Sequence, residues 1–497
     1  MQMNVLRNNI LKIAVVLAVV FGVSSCATPH KKSVDKKIKQ PNIIYILADD
    51  AGWGDFSCYG QEKFSTPNID ALAESGIRFT DHYAGSSVCA PSRSALLTGQ
   101  HTGHTPIRGN KEVLPEGQVP IPADTYSLPK MLKQEGYVTG MFGKWGLGYP
   151  QSEGAPNAQG FDEFYGYNCQ RLAHTYYPLY LRHNGTKVPL PANSEGQMTY
   201  THDMIHEQAL SFMDQNKDKP FFMYLPYTIP HAEMVVPQDS LFQAYKEKFP
   251  QGKPYVNKAN HDPNLTHEDR FYRGAYGDQE YPRAAFATMM HYLDQSVGEV
   301  VQKVKDLGLE ENTIIIFSSD NGPHKEGGAD PYYFKSFGPF KGVKRDLYEG
   351  GIRVPMIVSW PKTIAEKTVS DHPSAFWDVL PTVAEIVGVE IAEDKNIDGI
   401  SFLPTLLGEA KNQAQHDYLY WEFHEKGGRR AVRMGDWKAV QYNLKKKKKI
   451  EIYNLSNDPS ESNNLAKEQP EIVKKAQKIF DEARTVSTAF PFQAESL

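Results

Sequence analysis

The sequence of 497 residues has little cysteine, no dominant charge and no long apolar run, and each absence excludes a class of protein. Four cysteines are too few for a disulfide scaffold. A formal charge of −5 provides no chain-wide field for nucleic acid, so we expect no nucleic-acid partner. With 40% hydrophobic residues, the chain is long enough for one large globular domain and a smaller one.

The N-terminus has the layout of an export signal. Arg7 and Lys12 flank a polar start, and the apolar run Ile13–Val23 is too short to span a bilayer. The run ends in Val23-Ser24-Ser25-Cys26, which resembles the lipobox of bacterial lipoproteins, whose cysteine carries lipid. A plain signal peptide with a chance cysteine is the alternative. We expect a signal in residues 1–26, a polar tether in residues 27–40, and an exported protein held at the membrane by lipid on Cys26, in the periplasm or at the cell surface.

Four short apolar runs end close to polar residues, and this pattern predicts a sheet with a functional edge. The runs are residues 41–48, 137–142, 221–225 and 313–319, and the polar residues after them are, in order, Asp49-Asp50, Lys144, His231 and Asp320-Asn321. Continuous apolar runs of this length are typical of parallel strands buried on both faces. Helical patterns lie between them, at residues 67–76, 127–136 and 281–308. We therefore expect an α/β fold that binds ligands at the carboxyl ends of its strands.

The acidic residues at two of these strand ends form a candidate cation site. Asp49, Asp50, Asp320 and Asn321 offer only oxygen ligands, which suit Ca²⁺ or Mg²⁺ better than zinc. Without a cation, converging carboxylates repel one another and their pKa values rise. The alternative is that each pair caps a turn or a helix, which is a common role of aspartate.

The most informative segment is Ser87-Val-Cys89-Ala-Pro91-Ser-Arg93-Ser-Ala-Leu-Leu-Thr-Gly99. Pro91 suits the first position of a helix and Gly99 suits its end. Cys89 is therefore predicted just before a helix N-terminus, where the helix dipole favours an anion. Arg93, four residues later, is close enough to contact whatever Cys89 carries. A buried structural thiol is the usual alternative for a lone cysteine.

The string Cys-x-Pro-Ser-Arg followed by Ser-Ala-Leu-Leu-Thr-Gly resembles the signature of type I sulfatases, an arylsulfatase-like family of the alkaline phosphatase superfamily. Nearly the whole chain after residue 40 is similar to that family. The resemblance implies a large, mostly parallel sheet between helices in residues 41–400, and a smaller α+β subdomain with an antiparallel sheet in residues 401–497. The matching segments, in the family's order, are residues 49–55, 143–145, 230–231, 319–322, 349–355, 433–438 and 452–459.

The resemblance also implies a reaction. Family members hydrolyse sulfate esters through Cα-formylglycine, which a separate maturase makes from a cysteine, here Cys89. One hydroxyl of the aldehyde hydrate attacks sulfur and the second expels sulfate, while a cation, usually Ca²⁺ in this family, stabilises the attacking oxygen. By position, the cation ligands would be Asp49, Asp50, Cys89, Asp320 and Asn321, and Arg93, Lys144, His231 and Lys344 would contact formylglycine, sulfate or the leaving oxygen.

One departure from the family concerns proton handling. Many members have Gly-Lys-Trp-His-Leu-Gly, but this chain has Gly146 in place of the histidine that would hydrogen-bond the hydrate. Either another imidazole fills that space, with His174 and His324 as candidates, or the proton-handling role is weakened. A surface or packing role is the alternative for both histidines.

Two lysine assignments follow from spacing. The family lysine lies five residues before a glutamate, here Glu349, which selects Lys344 and makes Lys341 a solvated neighbour. Lys445 to Lys449 lie between strand-like runs, which predicts a solvated hairpin tip rather than a surface for polyanions.

Substrate contacts are expected from an aromatic segment, residues 165–182, in which arginines and a histidine are interleaved. Aromatic faces with cations suit a sulfated sugar, although such loops also cover cores. We expect Arg171, His174 and His324 to contact substrate, and residues 245–281 to shape the rim of the pocket. Cys58 and Cys169 are possible disulfide partners outside the cytoplasm, but the sequence does not establish their proximity.

The leading interpretation is an exported sulfatase that acts on sulfated carbohydrate. The nearest alternative is a phosphonate monoester or phosphodiester hydrolase on the same fold, which can carry the same signature. A non-catalytic glycan-binding lipoprotein is the third hypothesis. Gly146 favours it mildly, whereas the intact Cys89, Arg93, Lys144 and four cation-ligand positions oppose it.

Overall fold

The computed structural model describes residues 40–446 and 449–492. The predicted signal, the lipidated Cys26 and all of the tether except Gln40 lie outside the described residues. Among the residues that are described, no helix is both long and apolar enough to cross a membrane.

The predicted α/β architecture is confirmed, because the described residues form a large, mostly parallel sheet of eleven strands. Across the sheet the strand order is β10-β2-β9-β8-β1-β7-β3-β4-β5-β6, and β11 also pairs with β2. The strands are β1 (Asn42–Ala48), β2 (Ile77–Tyr83), β3 (Val138–Lys144), β4 (Glu163–Tyr167), β5 (Tyr180–His183), β6 (Thr186–Pro189), β7 (Phe221–Pro226), β8 (Thr313–Ser319), β9 (Arg353–Ser359), β10 (Thr368–Ser370) and β11 (Ser374–Ala375).

Helices cover both faces of this sheet. The predicted helices at residues 67–76, 127–136 and 281–308 are confirmed, and two of them begin at a proline, whose missing N–H costs nothing in a first turn. The helices are α1 (Pro67–Glu74), α2 (Cys89–Thr98), α3 (Leu128–Gln134), α4 (Ala192–Glu195), α5 (Thr201–Asn216), α6 (Ser240–Lys248), α7 (His267–Arg273), α8 (Pro282–Asp306), α9 (Pro331–Phe334), α10 (Glu349–Ile352), α11 (Val379–Val387), α12 (Leu403–Leu406) and α13 (Pro470–Glu482).

Strand β1 shows why the predicted runs are apolar throughout. Its alternate residues Ile44 and Ile46 join the core under α1, α5 and α8, whereas Ile43 and Tyr45 join the core under α2, α3 and α11. Since successive side chains of a strand point to opposite faces, a strand covered on both sides must be apolar at every position. The first polar residues after β1 therefore lie at the edge of the sheet.

Helix α2 begins two residues earlier than its sequence indicates. We expected Pro91 at the first helical position, but the helix starts at Cys89, with Val88 in extended conformation before it. Proline is tolerated anywhere in a first turn, because the N–H groups there have no partner within the helix. Gly99 ends the helix with φ of 68°, as predicted.

The predicted C-terminal antiparallel sheet is also present. Alternate residues such as Tyr420 and Val432 pack against α13, while Trp421 and Ala431 pack toward the large sheet, so both faces are covered. The predicted boundary at residue 400 stays a prediction. The strands, each antiparallel to its neighbour, are β12 (Leu419–Phe423), β13 (Arg429–Met434), β14 (Trp437–Tyr442) and β15 (Glu451–Asn454).

A buried ion-pair network joins the two sheets. Lys438 Nζ lies 2.6 Å from Glu349 Oε1, and both side chains are fully buried. Tyr83 donates to the other oxygen of Glu349 at 2.6 Å, and Arg433 contacts that tyrosine hydroxyl at 2.6 Å. Two of the segments that resemble the sulfatase family, residues 349–355 and 433–438, therefore meet in a structural contact.

Candidate active site

The carboxyl ends of three parallel strands bring the candidate site together: β8 and β1 are adjacent, and β3 is separated from β1 by β7. Asp49 and Asp50 follow β1, Asp320 follows β8, and Lys144 is the last residue of β3. The N–H of Asp50 donates to Asp320 Oδ1 at 3.1 Å, and Lys144 Nζ lies 2.6 Å from Asp49 Oδ2. The predicted polar residues therefore lie together at one edge of the sheet, and their function stays a prediction.

Asp50 lies in a left-handed turn, with φ of 67°. Consecutive strand residues normally point to opposite faces, so this turn allows both Asp49 and Asp50 to reach one site. Asp50 then accepts from Asn321 Nδ2 at 2.6 Å through one oxygen and from Lys344 Nζ at 2.6 Å through the other.

Cys89 lies at the first position of α2 and faces these carboxylates. Its Sγ is 3.3 Å from Asp49 Oδ1 and 3.6 Å from Lys144 Nζ. Burial, reinforced by Asp320 and Asp49, raises the pKa of the thiol well above its ordinary value. The unmodified thiol is therefore protonated near neutral pH and is a poor nucleophile.

Arg93 braces the site from one turn further along α2. Its guanidinium lies 2.9 Å from Asp320 Oδ2 and 3.1 Å from Asp49 Oδ2, and it also donates to the carbonyl of Lys144. The side chain is 1% exposed, so these ion pairs are shielded from water. Arg93 thus links the ends of β1, β3 and β8.

The pKa values of Asp49 and Asp320 are shifted in opposite directions because the charged groups around them differ. Burial, together with the charge of Asp49, raises the pKa of Asp320 to about 6 although Arg93 opposes the rise. Burial acts in the same direction on Asp49, but Lys144, Arg93 and Lys344 together bring its pKa below the ordinary value. Asp49 therefore loses its proton at a lower pH than Asp320 does.

The residues present fit a hard divalent cation. One ligand atom from each of Asp49, Asp50, Asp320 and Cys89 lies within 4.8 Å of the others, and all four residues are buried. The Oδ1 of Asn321 is buried and has no hydrogen-bond partner among the described residues. A buried carbonyl oxygen without a donor beside three carboxylates is the environment that Ca²⁺ or Mg²⁺ would complete.

Three imidazoles stack along one side of the site. The ring of His231 lies between those of His174 and His324, at 5.5 Å and 5.8 Å between ring centres. His231 Nε2 is 3.5 Å from Asp50 Oδ2, and burial, with Lys144 and Lys344, lowers its pKa well below the ordinary value. His231 is therefore a neutral imidazole at the site in this state.

The pKa values of the two outer imidazoles of the stack are shifted in opposite directions. Burial lowers the pKa of His174 to about 4, and its Nδ1 contacts the carbonyl of Gly274 at 3.0 Å. Burial opposes protonation of His324 too, but the carboxylate of Glu326 outweighs it and raises the pKa. Both histidines flank His231, and their roles as substrate contacts stay predictions.

The side chain next to Gly146 is that of Gln170 rather than His174 or His324, which does not favour the first of the two alternatives. A Cβ built on Gly146 would lie 2.1 Å from Nε2 of Gln170, and its three nearest atoms all belong to that side chain. Gly146 also has φ of 88°, a conformation that other residues rarely adopt. The backbone conformation favours glycine here, and a larger residue would also displace the end of the Gln170 side chain.

Other sequence-predicted residues lie at or beyond the edge of the site. The guanidinium of Arg171 donates to Glu112 at 2.5 Å and to the carbonyls of Pro115 and Tyr272. It therefore links the segments that carry these three residues. Lys341 is not a solvated neighbour, because its Nζ donates to the carbonyl of Glu461 at 3.1 Å in the C-terminal region.

Cys58, Cys169 and the described lysines of the run at residues 445–449 are not among the residues that meet at the site. Cys58 and Cys169 are both free thiols rather than disulfide partners. The strands on either side of the lysine run, β14 and β15, pair as a hairpin, and Lys447 and Lys448 at its tip lie outside the described residues.

Sequence reasoning missed three residues at the site. Glu326 faces His324 and pairs with Arg345, and Tyr276 places its ring 4.7 Å from that of His174. Gln170 is the third. Tyr276 lies in the polar insertion that was expected to form the rim, but no motif marks the others, because each reaches the site through a loop.

Family models match most of the chain. The model described as Sulfatase matches residues 41–389, which covers the large sheet and all the residues of the candidate site. The model described as N-sulphoglucosamine sulphohydrolase, C-terminal, matches residues 338–485, which include the antiparallel sheet and α13.

Known proteins resemble the chain over most of its length. Human arylsulfatase A is 31% identical over 86% of this chain and 83% of its own, and N-acetylgalactosamine-6-O-sulfatase of Bacteroides thetaiotaomicron is 28% identical over 93% and 96%. The crystal structure of Ps i-CgsB in complex with k-i-k-neocarrahexaose has a TM-score of 0.73 and 28% identity, covering 92% of this chain and 96% of that one. A phosphonate monoester hydrolase of Agrobacterium radiobacter, at 21% identity and a TM-score of 0.61, shares the fold.

Proposed function

The chain belongs to the sulfatase family of enzymes, and from that premise we propose that it removes sulfate from carbohydrates through formylglycine made from Cys89 and a bound Ca²⁺. The observation that carries the proposal is the position of Cys89. It begins a buried helix within 3.6 Å of both a lysine and an aspartate, yet its raised pKa makes the thiol itself a poor nucleophile. Conversion to an aldehyde hydrate would supply the missing nucleophile, with a second hydroxyl to expel the product.

The cation is proposed to bind Asp49, Asp50, Asp320 and Asn321. When bound, it would act as a Lewis acid that stabilises negative charge on oxygen. The choice of Ca²⁺ rests on the all-oxygen side chains and on the buried Asn321 Oδ1 that no described donor reaches.

The cationic side chains are assigned to charge stabilisation. Lys144 Nζ, 3.6 Å from the Cys89 sulfur, is placed to donate to the oxygen that replaces it. Lys344 is buried, yet Asp50 raises its pKa, so it stays charged and is assigned to contact the sulfate group. His231 directs Nε2 into the site and, once protonated, can donate to the leaving oxygen.

The carbohydrate assignment rests on the rim and on the relatives. The half-buried ring of Tyr276 lies beside His174 and His231, and this combination of an aromatic face with polar groups suits a sugar. The relatives include an N-acetylgalactosamine-6-O-sulfatase and the structure of Ps i-CgsB in complex with k-i-k-neocarrahexaose. We therefore assign sulfated saccharides as the substrate class.

The experiment is desulfation of a panel of defined sulfated saccharides by protein coexpressed with a formylglycine-generating maturase. We expect Cys89→Ala to stay folded and to lose at least about 10³-fold in turnover, because the nucleophile precursor is gone. Mass spectrometry should find an aldehyde or its hydrate at residue 89 of active protein. Cys58→Ala, at a free thiol away from the site, is the matched control. Turnover by Cys89→Ala, or an unaltered thiol in active protein, would refute the proposal.

The phosphorus-ester alternative needs its own comparison. Matched aryl sulfate and aryl phosphonate monoesters should be offered in competition, and we expect the sulfate to be turned over preferentially. Preference for the phosphonate would assign the site to the alternative activity.

Export and lipid anchoring are proposed from the sequence of residues 1–40. Wild-type protein should fractionate with membranes and release into the soluble fraction when Cys26 is changed to Ser. Equal fractionation of the two proteins would refute lipidation of Cys26.

A further inference from the structure

The side chain of Gln170 is a buried polar group next to Gly146, two residues beyond Lys144, and the proposed chemistry leaves it unused. It is 8% exposed, and its Nε2 is buried without a hydrogen-bond partner among the described residues. Buried polar groups in native proteins are almost always paired, so a donor left unpaired calls for a ligand that the described residues do not supply.

The unpaired donor lies at the site end of β3. Nε2 is 2.1 Å from the position that a Cβ on Gly146 would take, two residues beyond Lys144. The backbone there is fixed, because the N–H groups of Trp145 and Gly146 donate to the carbonyls of residues 167 and 168 at 2.9 Å and 3.2 Å. Lys144 in turn reaches to 3.6 Å from the Cys89 sulfur. The carboxamide therefore occupies the volume that a side chain at residue 146 would fill, next to the end of β3.

The segment that carries the carboxamide is held at both ends. The N–H of Gln170 donates to Gln118 Oε1 at 3.2 Å, and the next residue, Arg171, is paired with Glu112 at 2.5 Å. Further along, His174 stacks on the site imidazole and contacts a backbone carbonyl. A fixed backbone reduces the conformational entropy lost when the side chain forms a hydrogen bond.

We propose that Gln170 is a catalytic residue whose Nε2 donates a hydrogen bond to the oxygen carried by modified Cys89, and so orients the nucleophile. The inference rests on the proposed function, because only the modified residue carries that oxygen. The sulfur of unmodified cysteine is a weak acceptor, which accounts for a donor without a partner in the cysteine form. A carboxamide does not ionise near neutral pH, so Gln170 holds the oxygen but transfers no proton.

The first test replaces the donor by an isostere and measures stability and turnover together. Gln170→Met keeps the length of the side chain and removes both the donor and its desolvation cost. In protein made without maturase, its Tm should equal or exceed that of wild type. In matured protein, kcat should fall about 100-fold with KM unchanged, as for loss of one donor to a developing oxyanion.

A matched control separates this role from packing. Gln159 is also buried, but its Nε2 donates to the carbonyls of residues 121, 122 and 153. Gln159→Met should therefore lower Tm and leave kcat unchanged, the opposite pattern. If Gln170→Met gives the same pattern as Gln159→Met, the residue is structural and the inference is wrong.

The second test needs no turnover. Tm is measured for wild type and Gln170→Met, each in the cysteine form and in the matured form, with conversion verified by mass spectrometry. Because the donor gains its partner only on maturation, the substitution should lower Tm relative to wild type in the matured form alone. An equal change in both forms overturns the inference. Gln170→Glu, which keeps the size but replaces the donor by an acceptor, repeats both tests if the methionine variant misfolds.

Failure of the inference and failure of the proposed function give different results. Wild-type kcat in both Gln170 variants overturns the inference alone, since wild-type turnover would remain dependent on Cys89. Absence of the aldehyde from active wild-type protein overturns the proposed function, and the inference with it.

Discussion

Arg93 is the side chain on which the charge balance of the site depends, and its removal gives a prediction with a definite magnitude. The guanidinium is 1% exposed and contacts Asp49 and Asp320, both fully buried, at 3.1 Å and 2.9 Å. In Arg93→Met the aliphatic part is kept, but two carboxylates lose their shared partner. Breaking a buried pair in this way costs about 3–5 kcal/mol, because uncompensated charge stays behind.

The corresponding change in Tm follows from the size of the protein. The entropy of unfolding is about 2 cal/mol/K per residue, so for about 450 residues each 1 kcal/mol lowers Tm by about 1 °C. We therefore expect Arg93→Met to lower Tm by about 3–5 °C in differential scanning calorimetry. The scans are run with chelator, since a bound cation would stabilise the folded state of either protein.

A double variant tests whether uncompensated charge is the cause. Adding Asp320→Asn to Arg93→Met removes one of the stranded carboxylates and should recover part of the lost Tm. The exposed pair between Lys362 and Glu311 is the control, and Lys362→Met should change Tm by less than about 1 °C. Two results would show that the reasoning is wrong: a loss for Arg93→Met no larger than for Lys362→Met, or a double variant that loses the full sum of the single changes.

Three further predictions concern the cation, the lysines and the dependence on pH. Asp320→Ala should lower the amount of calcium bound per protein, as measured by inductively coupled plasma mass spectrometry. An unchanged calcium content would show that Asp320 is not a ligand. Lys344→Met should lower kcat at least about 100-fold, whereas Lys341→Met, at the neighbouring lysine that contacts the C-terminal region, should not. Burial, opposed by Lys438, raises the pKa of Glu461 to about 7, so the folded state binds the extra proton between pH 4.5 and 7. The free energy of unfolding should therefore fall by up to about 1.4 kcal/mol per pH unit as pH rises through that range, and Glu461→Gln should remove this slope in urea titrations at pH 5 and 7.

The large sheet and the residues at its polar edge were predictable because each strand is marked by neighbouring residues in the sequence. Each central strand is a continuous apolar run, and the position where the run stops fixes which residue reaches the edge, as at Asp49 and Asp320. The start of α2 was misplaced by two residues, since proline is compatible with several positions in a first turn.

The pairing of charges within the site was not predictable in the same way. Lys144 contacts Asp49 and Lys344 contacts Asp50. The residues of these two pairs are 95 and 294 positions apart in the sequence, so their pairing depends on the tertiary fold. The left-handed turn at Asp50, which turns both carboxylates to one side, has no mark in the sequence. Gln170 was missed for the same reason, because the space it fills is defined by a glycine 24 residues earlier.

The charge balance of the site limits which esters it suits. Asp49, Asp50 and Asp320 are matched by Arg93, Lys144 and Lys344, so these side chains alone offer little net attraction for an anion. A divalent cation would add two positive charges, enough for one negative charge on the ester and one on an ionised nucleophile.

A sulfate monoester carries one negative charge and so does a phosphonate monoester, whereas a phosphate monoester carries close to two near neutral pH, because its second pKa is about 6. The balance therefore disfavours phosphate monoesters but does not separate sulfate from phosphonate. Discrimination between those two must come from the groups proposed to contact the leaving oxygen and the sugar, which are His231 and the neighbouring Tyr276. The decisive competition is thus between aryl sulfate and aryl phosphonate, and a low rate with aryl phosphate would not by itself identify a sulfatase.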